Sequence, residues 1–126
     1  MDPIARRDLC VRGEEAVAAW YRRADYSVVA RNWRCREGEI DIVAISPDGR
    51  VVVFCEVKTR ASTRFGTAFE AVTAAKQRRL RRLGGRWLAH RRQNGGAGYA
   101  EVRFDVAAVT VPRRGDLELH VLEGAF

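Results

Sequence analysis

Residues 38–60 read GEIDIVAISPDGRVVVFCEVKTR, two apolar runs interrupted by Asp41, Glu56 and Lys58. An unpaired charge inside a buried sheet is costly, so such interruptions need a reason. Residues two apart in a strand share a face, which pairs Glu39 with Asp41 and Glu56 with Lys58. A hairpin closing at SPDG (46–49) has its centre of pairing near residue 48. Asp41 then lies opposite about residue 55, within a residue or so of Glu56, and two carboxylates converge with an ammonium. Two oxygen ligands at a sheet end suit a hard cation such as Mg²⁺, which keeps several of its waters. A lysine beside such a cation can hold or deprotonate an attacking water, or neutralise phosphate charge. The D-x₁₄-E-x-K spacing is permissive, however. It also fits a cross-strand salt bridge between Lys58 and a carboxylate on a half-solvated sheet.

The make-up of the positive charge bears on that choice. The formal net charge is +7, which points to a polyanionic partner. Of 23 basic residues only Lys58 and Lys76 are lysine. Arginine stays protonated, whereas lysine can shift its pKa and presents a compact charge. Lysine at these two positions therefore hints at a chemical requirement. Thr59, Arg60 and Arg64 follow the E-x-K segment and are candidates for holding backbone phosphates. Lys76 falls on an apolar helical stripe, either snorkelling from the core or facing the site. Arg78, Arg79, Arg82 and Arg86 form the opposite helix face, either solvated or in contact with phosphate.

Around these residues the chain reads as an α/β domain. Residues 8–24 fit an amphipathic helix with Leu9, Ala16, Val17, Trp20 and Ala24 on one face. Glu14 sits at the margin of that face and Glu15 points away from it. Strands follow at 26–35, 38–46 and 50–60, the last apolar on both sides and hence central. A helix from about 67 to 93 carries Phe69, Val72, Leu80, Leu83 and Trp87 in one stripe, with a kink expected at Gly84-Gly85. Strands at 99–111 and 117–123 complete an αβββαββ order, a mixed sheet flanked by helices. Arg103 and Asp105 share a strand face as a structural ion pair, and the apolar HVLEGAF end is a candidate interaction tail.

The 126 residues make one domain, 1–126. Three cysteines without C-x-x-C pairs support neither a disulfide framework nor a zinc site; Cys55 is expected in the core. No export signal or membrane-length apolar run is present, so a cytoplasmic location is expected.

GEIDIVA, EVKTR, the FG at 65–66, EAV at 70–72, Lys76 and RFDV at 103–106 together resemble the YraN-type family of small bacterial proteins. That family is similar in fold to PD-(D/E)XK nucleases, which are restriction-endonuclease-like, and especially to archaeal Holliday junction resolvases. The resemblance implies catalytic roles for Glu14 on the first helix, Asp41 at the start of the second strand, and Glu56 and Lys58 on the third. It implies Mg²⁺ or Mn²⁺ held by Asp41, Glu56 and the carbonyl of Val57, a nucleic-acid substrate (DNA before RNA, branched or flapped) and a homodimer. Ile40 replaces the proline of the PD signature. Glu39 is an extra carboxylate, either a second metal ligand or a solvated neighbour. The alternative is a module that keeps the nuclease fold but only binds nucleic acid or a partner protein.

Overall fold

The computed structural model of the chain describes residues 2–61 and 72–126. The elements run α1 (Pro3–Arg23), β1 (Ser27–Cys35), β2 (Gly38–Ile45), β3 (Val51–Arg60), α2 (Ala74–Gln93), β4 (Glu101–Thr110) and β5 (Glu118–Leu122), the expected αβββαββ order. The sheet order is β1-β2-β3-β4-β5. Only β3 and β4 are parallel, and α2 lies in the long connection that a parallel pair requires. Val52 to Cys55 of β3 are buried on both faces, as a central strand's should be. Val53 and Cys55 join a core under α1 with Val17, Tyr21 and Ile42. Val52 and Phe54 join a second core under α2 with Leu80, Leu83 and Trp87. Cys55 is a free thiol in the first core, as expected.

Helix α1 begins at Pro3, ahead of the expected residue 8. Asp2 is the N-cap, its carboxylate accepting from Ala5 N at 2.8 Å, and proline follows in the first turn. The helix buries Gly13, Val17, Ala18 and Tyr21. Of the expected Leu9–Ala16–Val17–Trp20–Ala24 face, Val17 is buried and Leu9 and Trp20 pack at the core's margin. The buried row is thus rotated part of the way from that face, and Ala24 caps the end in solvent. Gly13 sets this rotation: a Cβ there would lie 1.9 Å from Thr59 Oγ1, so helix backbone rests directly on β3. We expect Gly13→Ala to destabilise the protein by about 3 kcal/mol through overpacking. Thr59→Ala should recover part of that loss in the double variant, as read by urea denaturation. Independent, additive effects would mean that the two residues do not touch.

Helix α2 starts at Ala74, because Thr73 is extended and caps it, its hydroxyl accepting from Lys76 N at 3.3 Å. Residues 67–71 of the expected helix, Phe69 included, lie outside the described residues. The helix runs unbroken through Gly84-Gly85, where a kink was expected. A Cβ on Gly84 would meet the Phe54 ring at 3.0 Å, so this glycine serves close helix–sheet approach. The apolar C-terminus is no free tail. Ala125 N donates to Phe104 O at 2.7 Å, and the Phe126 ring stacks on Phe104 with centroids 5.2 Å apart. The expected Arg103–Asp105 pair is present at 2.9 Å.

Candidate active site

Antiparallel pairing of β2 with β3 ends at Ile42↔Cys55. The next position sets Asp41 opposite Glu56, one residue beyond the partner expected from a centre at 48. There the strands part, and Asp41 Oδ2 fills the seam by accepting the Val57 N–H at 2.8 Å. Strict alternation breaks at this point, since Ile40 enters the α2 core and Ile42 the α1 core. Asp41 therefore lies in the seam between the strands, while Glu39 lines a cavity under α2.

The adjacent strand has an irregularity of its own. Asn32 has φ +50° and falls between the pairs Arg31↔Ile42 and Trp33↔Ile40, which puts it beside Asp41. Asparagine tolerates the left-handed region better than most residues. Its Nδ2 donates to Glu14 Oε2 at 3.0 Å, holding the α1 carboxylate toward the seam. Sequence reasoning passed over Asn32. The only local sign was a polar, turn-favouring residue in the middle of an otherwise plausible strand. Glu15 turns outward and pairs with Arg31 at 2.6 Å.

These carboxylates feel one another. Burial pushes the Asp41 carboxyl up to about 7; the charge of Glu56 adds to the rise and those of Glu14 and Glu39 add less, against the Val57 N–H. Lys58 Nζ lies 3.1 Å from Glu56 Oε1, both side chains about one-fifth exposed. The pair is thus formed along one strand rather than across two. Glu39, Glu56, Lys58, Lys76 and Arg79 line a cavity of about 120 Å³, closed on its apolar side by Val72 and Leu80. The chain's only two lysines therefore meet in one pocket. Lys58 presses the pKa of Lys76 below the ordinary lysine range. Lys76 is solvent-exposed and not a snorkelling core residue.

The donors fit a hard divalent cation. Asp41 and Glu56 supply carboxylate oxygens, and the Val57 carbonyl leans to the same side of β3 as its N–H, toward Asp41. Burial raises Asp41 most, and the repulsion from Glu56 that adds to the rise is what a cation would relieve. Among the described residues no three His, Cys, Asp or Glu side chains group closely enough to enclose an ion, so a cation here would keep several waters.

The residues expected to hold phosphates lie at and beyond the end of β3. The Thr59 hydroxyl is buried under Gly13 without a hydrogen-bond partner among the described residues. It faces α1, on the opposite side of β3 from Glu56 and Lys58. Arg60 ends β3 half-buried, and Arg64 lies outside the described residues.

Similarity extends over most of the chain. It is 50% identical over 112 residues to a UPF0102 protein of Kineococcus radiotolerans, covering 89% of this chain and 88% of that one. A UPF0102 protein of Frankia alni is 46% identical over 114 residues, 90% of each chain. One from Mycolicibacterium vanbaalenii is 44% identical over 120 residues, 95% of this chain and 94% of its own. The profile of the uncharacterised protein family UPF0102 matches residues 13–109, from the glycine that seats α1 on β3 through nearly all of β4, and the chain belongs to that family.

Proposed function

We propose that the protein is a metal-dependent phosphodiesterase acting on nucleic acid, with branched or flapped DNA as its substrate. The observation that carries this reading is Asp41 set opposite Glu56 where β2 and β3 part, with Lys58 3.1 Å from Glu56. Asp41, Glu56 and the Val57 carbonyl would hold Mg²⁺ or Mn²⁺, which supplies Lewis-acid polarisation of the phosphoryl oxygens. Lys58 positions the attacking water and offsets charge that builds on the phosphate. Glu14, steadied by Asn32, orients the outer oxygens of the site. Lys76 adds a second cation to the same pocket, from α2.

The test is metal-dependent cleavage of forked, flapped and four-way DNAs. Asp41→Ala and Lys58→Ala should each lower the rate by about 100-fold or more, the scale of losing an acid–base or charge-stabilising group. Equal cleavage by wild type and both variants would identify a contaminant and remove the catalytic reading.

One observation favours a second reading. The Lys58–Glu56 ion pair neutralises Glu56 without any metal, as a module that binds nucleic acid without cutting it would allow. That reading expects salt-dependent DNA binding without turnover. It also expects no calorimetric Mg²⁺ signal that disappears in Asp41→Ala.

A further inference from the structure

Beside the pocket that holds Glu56 and Lys58 lies a larger cavity of about 430 Å³, lined by Arg34, Cys35, Arg36, Glu37, Gly38, Glu39 and Arg79. Glu39 and Arg79 line both cavities, so the two adjoin at these side chains, and together they make a trough reaching from Lys58 toward the β1–β2 hairpin end. Arg79 is the hinge of this arrangement. Its guanidinium lies across Gly38, where a Cβ would stand 3.3 Å from Nε. Gly38 also has φ +145°, a backbone conformation that favours glycine. An absent side chain at 38 thus leaves room for Arg79 to lie along the floor.

Charge in the trough is in cationic excess. Glu39 is taken by Arg34 at 3.0 Å and Glu37 by Arg86 at 2.8 Å. Among the described residues, no carboxylate lies within ion-pair distance of Arg36 or Arg79. Both are exposed. A guanidinium offers a planar fork of donors matched to a phosphodiester. Two such groups on an open channel, beginning beside a candidate phosphodiesterase site, suit consecutive phosphates of one strand better than a small anion. We propose that this trough seats the backbone of a nucleic-acid strand flanking the reacting phosphate, with Arg36 and Arg79 as its phosphate-holding residues. The assignment rests on the nuclease reading for the identity of the strand but not for the chemistry of the trough.

Fluorescence anisotropy of a labelled forked DNA, measured in EDTA, tests the trough without turnover. Arg36→Ala and Arg79→Ala should each weaken binding by about three- to tenfold and lower the salt slope by about one. Arg79→Lys should recover part of the affinity. Arg50→Ala, at the opposite end of β3, should match wild type. Failure of the wild type to bind, or binding by both alanine variants within about twofold of wild type, overturns the proposal.

Cleavage of the same fork in Mn²⁺ separates the two ideas. If wild type cuts while Arg36→Ala and Arg79→Ala keep its KM, the trough fails and the nuclease stands. If wild type and Glu56→Gln both bind but neither cuts, the nuclease reading fails and the trough stands.

Discussion

Replacing Asp41 with asparagine should make the metal-free protein more stable at pH 8 and leave it nearly unchanged at pH 4. The Asp41 carboxyl is raised to about 7 in the folded chain, first by burial and then by the charge of Glu56. An unfolded aspartate titrates near 3.9. The folded state therefore holds this proton more tightly, so ionisation costs stability increasingly as pH rises from about 4 through 7. At pH 8 the whole penalty is present, on the order of 4 kcal/mol from a shift of about three units. Asparagine keeps an oxygen to accept the Val57 N–H and carries no charge, so the penalty vanishes. The thermal midpoint in EDTA should rise by roughly 15 °C at pH 8.

Mn²⁺ should reverse the order. It stabilises the wild type by mass action, more at pH 8 than at pH 6 because it competes with the Asp41 proton. It should do little for Asp41→Asn. A variant less stable than wild type at pH 8 would refute the electrostatic account of the seam. This is a stability–function conflict of the kind expected where like charges are gathered for a ligand.

The second large effect lies away from the site. Asp105 is fully buried and its carboxylate accepts from Tyr21 OH at 2.6 Å, Arg103 Nε at 2.9 Å, Arg103 Nη2 at 3.0 Å and Gly124 N at 3.0 Å. One side chain thus ties α1, β4 and the C-terminal segment together. Burial, followed by the neighbouring thiol of Cys55 and the carboxylate of Asp105, pushes the Tyr21 phenol far above its ordinary range, so it stays a donor. Asp105→Ala should cost about 3–5 kcal/mol, because it leaves a half-buried guanidinium and a buried hydroxyl unpartnered. Tyr21→Phe removes one neutral donor from a charged acceptor and should cost about 2 kcal/mol. Urea denaturation with an unchanged m-value measures both. A cost for Asp105→Ala no larger than that for Tyr21→Phe would show that Arg103 finds water instead.

The fold was legible in the sequence because its signals are local. The apolar run of β2, two-sided apolarity in β3 and the SPDG turn set three elements without reference to the rest of the chain. The SPDG turn closes as read, with Gly49 N donating to Ser46 O at 2.9 Å. The errors arose where packing overrode period. The buried row of α1 follows Gly13, whose importance comes from Thr59 some 46 positions later. The role of Gly84 was not legible because the Phe54 ring it accommodates belongs to another element.

At the site the division is similar. By itself the sequence determined which residues could do chemistry: Asp41, Glu56 and Lys58 by charge within apolar strands, and Lys76 by the scarcity of lysine. Their convergence was only approximate, because hairpin arithmetic fixes register to about one residue. The tertiary structure decided the rest. It put Asp41 in the seam where β2 and β3 part, joined Asn32 to Glu14, turned Thr59 under α1 and laid Arg79 across Gly38. Each of these depends on two or more segments meeting at a place where regular geometry fails. Side-chain direction at an irregular position is set by the neighbouring strand or helix, and no spacing along one strand carries that information.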